Sequence, residues 1–566
     1  RVLDEMQGEG VSLEDLDTIR EEGLSQHWQK SLRFLRLIGH YVDALDTGLD
    51  PEARQRLAVA QLGALWKHCP PQHPILLAGS TGSRGTTAEL MGLIASLPQG
   101  AVILPGVDLE MPDEVWARLD TPRTGEDHPQ YRFVGLMHRL GVSRNDLQYW
   151  TDPAPANHSR NRFVSLAMRP APVTDQWLTE GPKLEGLGAA TGSMTLIEAP
   201  DSRTEALAIA LRLRQAVEDG QTAALITPDR VLTRQVAAAL DRWRIVPDDS
   251  AGRPLALSAP GRFLRHVAEL FDEPMTPEAL ITLLKHPLCH SEHPDRGDHL
   301  RRTRDLELHM RHEAPFFLSG DTLREWASGK LDETGLVWVE WICDHILVHE
   351  DTARSTVAAH LARHLKISQV IAAGPSIEGS GGLWLKEAGE KALAVMHDLE
   401  RSAEPGGIVS AREYEGLLQG ILTGEEVREP AQSHPSVMIW GTLEARVQGA
   451  DLVILGGLND GVWPGQPDPD PWFSRQMRLD AGLLLPERQI GLSAHDFEQA
   501  ISAREVVLTR ATRNSDAETV PSRWLNRITN LLDGLGTEGT KLLKEMRARG
   551  QNLVQQAMTL ETPVVG

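Results

Sequence analysis

The stretch that decides the fold is residues 437–464, VMIWGTLEARVQGADLVILGGLNDGVWP. It predicts two short buried strands, Val437 to Trp440 and Asp451 to Leu455, joined by a polar turn, and a glycine-rich loop over 456–461. Short apolar runs bounded by Gly and Asn are typical of a parallel sheet that is covered on both faces. Because α/β folds place their sites at the carboxyl ends of such strands, we expect the site beside this loop.

The pattern of strand, helix, strand and helix extends beyond this stretch. After a glycine-rich boundary at 185–193, strands are predicted at 194–198 and 223–227, and helices at 203–218 and 231–243. That alternation predicts a parallel α/β domain with right-handed crossovers. From about 266 to 430 the chain is mostly helical, and the α/β pattern resumes at Val437, so the helical block reads as an insertion.

Several segments carry a resemblance to a known family. Residues 443–446 (LEAR), 457–464 (GLNDGVWP) and 505–511 (EVVLTRA) resemble the last two helicase motifs of superfamily-1 UvrD-type proteins. Together with residues 495–497 (HDF) and 521–525 (PSRWL), these segments are similar in sequence to AddB, the partner of AddA in bacterial helicase-nucleases of double-strand break repair. The similarity is more narrowly to the alphaproteobacterial form of AddB. The resemblance runs from about residue 20 to residue 535.

This resemblance implies an α/β fold with two RecA-like parallel-sheet domains of an inactivated superfamily-1 helicase, with helical insertions. The expected organisation is a first helicase-like domain at 1–190 (helical 1–70, α/β 71–110, helical or irregular 111–190), a second RecA-like domain at 191–265 and 431–535, a helical insertion at 266–430, and a linker at 536–566 towards a C-terminal nuclease domain. That nuclease domain, often with an iron-sulfur cluster in the family, is expected to lie outside this sequence.

A glycine-rich loop at 79–87 (GSTGSRGTT) lies between a predicted strand, 75–78, and a helix that begins near Ala88. A strand, such a loop and a helix N-terminus make a natural cradle for phosphate. A phosphate-loop motif needs a second glycine where Arg84 stands, and then a lysine. Two interpretations stay open: a tight structural loop, and the site of a nucleotide-dependent enzyme that uses Gly79 to Thr87.

The family's catalytic groups are not found in this sequence. The strand 75–78 matches the family's second motif, which in active relatives ends in an Asp-Glu pair that holds Mg²⁺; here it ends in Ala78-Gly79. We therefore expect no catalytic, cofactor or metal residue in this chain, and ATP and Mg²⁺ in the complex through the partner. The degenerate motif positions are Gly79, Thr81, Gly82, Leu443, Glu444, Gly457, Leu458, Asn459, Gly461, Trp463, Pro464, Thr509 and Arg510.

Charge limits the possible partners. The 566-residue chain carries 57 basic and 79 acidic residues, a net charge of −22, which opposes a surface that grips phosphate everywhere. A narrow basic channel remains compatible with that balance. The candidate DNA-binding residues are Arg301, Arg302, Arg510 and Arg513, and Arg160, Arg162 and Arg169 form a modest basic patch. For Arg510 a buried arginine held by carboxylates is the alternative, and for Trp463 and Trp472 core packing is favoured over base stacking.

The remaining composition describes the setting of the chain. Its three cysteines are isolated, which predicts a reducing, cytoplasmic compartment, and no signal peptide or membrane span is recognisable. A zinc site at Cys289 with His286, His290 and His293 is the less favoured alternative to an ordinary loop.

Three functions follow as hypotheses. The first is a catalytically silent helicase-like subunit that guides or scans single-stranded DNA or a duplex end beside an AddA-type partner. The second is the nucleotide-dependent enzyme that uses the 79–87 loop. The third is an interaction scaffold that does not bind DNA, which the net charge favours.

Overall fold

The computed structural model describes residues 2–12, 15–16, 19, 25–44, 51–82, 85–120, 125–150, 157–272, 275–313, 317–347, 354–375, 379–428, 433–446, 448–467, 469–515 and 517–561. The chain forms two compact units, one of Arg1–Ser250 with Ser433–Gly566 and one of Ala251–Gln432. In the described ranges, every helix is too short or too polar to cross a membrane.

The first unit contains two parallel sheets. Its strands, numbered in chain order, are β1 Ile75–Ala78, β2 Gly100–Ile103, β3 Met194–Ala199, β4 Ala223–Ile226, β5 Asp248–Asp249, β10 Val437–Trp440, β11 Leu452–Leu455 and β12 Glu505–Ala511. The strands β1 and β2 form a separate two-stranded sheet. The other six form one sheet in the order β3-β12-β11-β4-β10-β5, with all pairs parallel. The predicted α/β class with a parallel sheet is therefore confirmed.

Some of the helices of this unit cover both faces of the larger sheet. The helices of the unit are α1 Val2–Glu9, α2 Gln26–Ala44, α3 Pro51–His68, α4 Gly85–Ala95, α5 Asp113–Trp116, α6 Tyr131–Leu140, α7 His158–Ala167, α8 Gln176–Glu180, α9 Leu187–Gly192, α10 Ser202–Glu218, α11 Arg230–Asp241, α20 Arg475–Asp480, α21 Arg488–Ile501, α22 Arg523–Gly534 and α23 Gly536–Glu561. Successive residues of β4 belong alternately to two apolar cores, one with α10 and α11 and the other with α21 and α22. Every residue of β4 and of β11 is buried, as the apolar runs predicted.

The segment after residue 535 differs from the predicted linker. Helix α23 lies along β3, the edge strand of the sheet, and buries Leu543, Met546 and Val554. A Cβ at Gly550 would lie 1.8 Å from the Leu196 carbonyl oxygen, so the helix touches the strand backbone directly. The side chain of Arg549 also donates to the Met194 carbonyl. The helix thus covers an edge that would otherwise expose unpaired backbone groups.

The second unit is mainly helical. Its helices are α12 Ala259–Glu269, α13 Pro277–Lys285, α14 Arg296–Glu313, α15 Gly320–Ser328, α16 Glu333–His345, α17 Val357–Ala373, α18 Lys386–Arg401 and α19 Ala411–Gly424, and its short strands are β6 Arg253–Pro254, β7 Ser355–Thr356, β8 Ile408–Val409 and β9 Glu426–Val427. The helical insertion was predicted from residue 266, whereas this unit begins at Ala251. The reason is that β6 pairs antiparallel with β9 and joins the two ends of the unit.

Candidate functional site at the carboxyl edge of the six-stranded sheet

The order of strands along the sheet reverses between β4 and β11, which are parallel neighbours. The connection after β4 leads to β5 on one side, and the connection after β11 leads to β12 on the other. Their carboxyl ends therefore flank a topological switch point, where open α/β sheets bind ligands. Thr227 and Asp229 follow β4, and Gly456 and Gly457 follow β11. These four residues define the switch-point crevice.

Glu205 is buried beside this crevice. It lies in the first turn of α10, is only 2% exposed, and its Oε1 accepts hydrogen bonds from the Gly457 amide at 3.0 Å and the Thr509 hydroxyl at 2.6 Å. Burial raises the pKa of its carboxyl group, which the two hydrogen bonds oppose. A Cβ at Gly456 would lie 2.9 Å from Leu225 and 3.0 Å from Leu232, so apolar side chains lie against the backbone at this position. Glu205 therefore takes up two polar donors at this edge of the sheet.

Arg510 lies in the neighbouring strand as part of a hydrogen-bond network. It is 5% exposed; its Nε donates to Asn459 Oδ1 at 3.1 Å, and its Nη2 donates to the carbonyl and hydroxyl oxygens of Thr519 at 2.9 and 3.0 Å. Its Nη1 is 3.8 Å from Glu198. Asn459 in turn donates to the Ala511 carbonyl. Because its guanidinium group is buried and engaged, the structure favours the structural alternative for Arg510 over a DNA-facing one.

The motif residues before β11 are held by a buried ion pair. Leu443 is 65% exposed, and Glu444 begins a short 3-10 turn that ends at Arg446. Arg446 donates two hydrogen bonds to Asp496 in α21, at 2.6 and 3.1 Å, and both side chains are more than nine-tenths buried. A planar, bidentate pair of this kind fixes the loop against the helix. Both residues lie in the segments that resemble helicase motifs, but the sequence did not predict that they pair.

The rest of the glycine-rich loop supports an aromatic core. Leu458 is fully buried, Gly461 adopts a positive φ of 80°, and Trp463 precedes Pro464 through a cis peptide bond. Trp463 is 1% exposed and contacts Phe497 and Trp524 edge to face. Core packing is thus confirmed for Trp463.

Trp472 behaves differently. It is 36% exposed and stacks on the ring of Phe34, so the prediction of core packing is wrong for this residue.

The glycine-rich loop after β1 is occupied by the N-terminal helix. Gly79 and Gly82 have positive φ angles, and Thr81 is buried with its hydroxyl unpaired. The Thr86 hydroxyl, in the first turn of α4, donates to the Gly8 carbonyl at 3.1 Å. A Cβ at Gly85 would lie 3.0 Å from a carboxylate oxygen of Glu9. An acidic side chain and a carbonyl of α1 therefore lie where this helix N-terminus would bind an anion. Arg84 lies outside the described residues.

The predicted basic residues of α14 are paired. Arg301 lies 3.1 Å from Asp298, and Arg302 lies 3.4 Å from Asp332 with its side chain 13% exposed. This neutralisation weakens their assignment to DNA. By contrast, Arg513 is exposed just beyond the carboxyl end of β12.

The predicted patch of Arg160, Arg162 and Arg169 is corrected. Arg160 is fully buried and donates to the Ala190 carbonyl at 2.9 Å, and Arg169 is 3% exposed. Of the three, Arg162 alone is exposed.

Two of the histidines around Cys289, His286 and His290, are buried in the second unit, and His293 is partly exposed. Burial lowers the pKa of His286 and of His290 to about 4, and raises the pKa of the Cys289 thiol to about 12. Within the described ranges no group of three His, Cys, Asp or Glu side chains is arranged to hold a metal ion.

Comparison with known proteins adds no assignment. No family model matches the chain, and no curated protein matches it.

The sequence analysis did not single out Glu205 or Glu9, since each is a single acidic residue in a helix. One signal for Glu205 is that it immediately precedes the apolar run 206–211. An apolar run of this kind predicts a buried part of the helix, and Glu205 lies next to it.

Proposed function

We propose that this chain is a catalytically silent helicase-like module of the AddB type. In this proposal it has two RecA-like domains with a helical insertion, and it guides single-stranded DNA in a cytoplasmic helicase-nuclease of double-strand break repair. ATP and Mg²⁺ would be used by an AddA-type partner subunit. The proposal combines the motif resemblance with the geometry of the parallel sheet.

One observation carries the proposal: the buried carboxyl group of Glu205 accepts hydrogen bonds at the switch-point crevice. A sheet of this topology would receive a ligand between the ends of β4 and β11. Here a buried carboxyl group takes up the Gly457 amide and the Thr509 hydroxyl, which are donors a phosphate would need. These contacts support the proposal of a module that is catalytically silent, because the donors are already used within the protein.

The alternative of a nucleotide-dependent enzyme using Gly79 to Thr87 has less support. The Gly8 carbonyl and the Glu9 carboxylate lie against the N-terminus of α4, and a carboxylate beside a phosphate would repel it. If the loop were nevertheless a nucleotide site, equilibrium dialysis with Mg²⁺-ATP would show binding that substitution of Gly82 and Thr86 abolishes.

The interaction scaffold is a second candidate that a specific observation favours. Two of the four predicted DNA-binding arginines, Arg301 and Arg302, have carboxylate partners, and a third, Arg510, is buried. A scaffold would bind its partner with no salt-sensitive affinity for DNA.

The test is the affinity of the whole chain for a labelled single-stranded oligonucleotide across a salt series. We expect affinity to fall as salt rises. R513A should weaken binding without changing stability, and it should lower the slope of log affinity against log salt by about 0.7 if Arg513 contacts one phosphate. R510A serves as the structural comparison, because it should lower stability through the loss of its buried hydrogen bonds. Failure to bind, alone and with an AddA-type partner, would move the assignment to the scaffold.

A further inference from the structure

A hydrogen-bond donor of His286 is buried in the second unit without a partner. His286 follows α13 and is 7% exposed. Its Nδ1 accepts the Leu288 amide at 3.2 Å, whereas its Nε2 has no hydrogen-bond partner within the described part of the chain. Burial and neighbouring cations lower the pKa of His286 to about 4, so at neutral pH the ring carries one proton, on Nε2. Because a buried donor without an acceptor costs free energy, this atom marks a place for an acceptor.

The charges that act on His286 are positive. Besides burial, His266 and Arg262 of α12 and Arg296 of α14 lower its pKa, and no carboxylate of the described residues raises it. Arg262 is exposed and forms no ion pair in the described ranges. Arg296 donates to the His286 carbonyl at 3.3 Å, and the carboxylate of Glu269 is engaged by His266 at 3.1 Å. The unpaired donor therefore lies in a positive local potential, which favours an anion.

Two rings of α12 lie beside the His286 ring. The centroid of Phe263 is 5.2 Å away and that of His266 is 6.3 Å away. The side chain of His266 is 31% exposed, so it is the outer neighbour of the buried His286 ring. Because Nδ1 is directed to Leu288 in its own turn, Nε2 faces away from that turn. Arg262 precedes His266 by one helical turn, which places the two side chains on the same side of α12.

We propose that Arg262 and His286 form a binding site for a phosphate group. The Arg262 guanidinium group would pair with two phosphate oxygens, and His286 Nε2 would donate to a third once the His266 ring turns aside. The planar guanidinium fork matches phosphate geometry through parallel N–H donors. A free phosphate ion and a nucleic-acid backbone present the same oxygens. The inference concerns the second unit and does not depend on the proposed function.

The test is equilibrium dialysis of the whole chain against radiolabelled inorganic phosphate at low ionic strength. R262A should weaken binding at least about tenfold, because it removes a charge-assisted hydrogen bond. R262K should be intermediate, since lysine keeps the charge and loses the paired donors. H286N keeps an oxygen that accepts the Leu288 amide and removes the Nε2 donor, so it should also weaken binding.

A matched control and a second readout separate this site from a general effect of charge. R304A removes an exposed arginine of the same unit, about 12 Å further along α14 than Arg296, and should leave the affinity unchanged. Histidine NMR follows the pKa of His286, with H286N identifying its signal. Bound phosphate should raise that pKa, because an anion opposes the neighbouring cations, and it should have no such effect in R262A. Circular dichroism and thermal unfolding confirm that each variant is folded.

The inference is overturned if the unaltered chain takes up no phosphate, if folded R262A binds phosphate as tightly as the unaltered chain, or if phosphate leaves the pKa of His286 unchanged. Adding single-stranded oligothymidylate to the phosphate-loaded protein distinguishes the two sources. Displacement of phosphate supports a nucleic-acid backbone as the ligand, and retention supports a free phosphate ion. Binding of DNA without uptake of phosphate would remove this site and leave the proposed function standing, whereas uptake of phosphate without any binding of DNA would do the reverse.

Discussion

Replacing Glu205 tests whether its carboxyl group stabilises the fold beside the crevice. In E205A the Gly457 amide and the Thr509 hydroxyl lose their acceptor inside the protein. Each buried donor left unpaired costs about 1–3 kcal/mol, so we expect a loss of about 2–6 kcal/mol in the free energy of unfolding. Both donors use the same oxygen, Oε1, which an amide can supply. E205Q should therefore remain within about 1 kcal/mol of the unaltered protein.

The pH dependence gives a second readout of Glu205. Its pKa is raised by burial, so the folded protein retains the proton at pH values where the unfolded chain has lost it. Stability should be fully present below the pKa of the unfolded carboxyl group and should decrease as pH rises through the folded pKa. E205Q cannot ionise, so it should show a weaker decrease in stability as pH rises than the unaltered protein.

The assay is urea unfolding followed by tryptophan fluorescence at several pH values, comparing variants in one buffer. E218A is the matched control, because Glu218 is on the same helix and its side chain is 59% exposed; it should change stability by less than about 0.5 kcal/mol. The reasoning would be refuted if E205A were as stable as E218A, or if E205Q were as destabilised as E205A.

Three further variants test the other contacts of the first unit. D496A leaves Arg446 buried without its carboxylate and should lower the free energy of unfolding in urea by about 3–5 kcal/mol. The control E545A, at an exposed pair, should lower it by less than about 1 kcal/mol. Equal losses in the two variants would contradict the bidentate pair. G550V would place side-chain atoms against the backbone of β3 and should lower the thermal midpoint or prevent α23 from docking, which hydrogen exchange of β3 detects; unchanged exchange would contradict this close approach. Burial raises the pKa of Glu126 to about 7, so the stability of the protein should fall between about pH 4.5 and 7. In thermal unfolding, E126Q should remove this decrease in stability. An identical pH profile for the variant and the unaltered protein would contradict this role of Glu126.

The strands were readable from the sequence because their signals are local. The runs at 437–440 and 452–455 are apolar and bounded by turn residues, and the structure gives them as β10 and β11. Asp201 and Asp229 cap α10 and α11 through hydrogen bonds to backbone amides two or three residues away, so the helix starts are also local. Helix α23 was missed because it is stabilised mainly by contact with β3, more than 300 residues earlier in the chain.

The sequence by itself determined that a parallel sheet exists, where its strands lie and that a glycine-rich loop follows β11, since all of these depend on hydrophobic period and turn residues. Only the tertiary structure decided what the charged residues do. Whether Arg510 meets DNA or Asn459, and whether Glu205 is exposed or buried beside the crevice, depends on which distant groups surround each side chain. Burial and hydrogen-bond partners are properties of the packed chain, and neither is encoded in the immediate neighbours of a single arginine or glutamate.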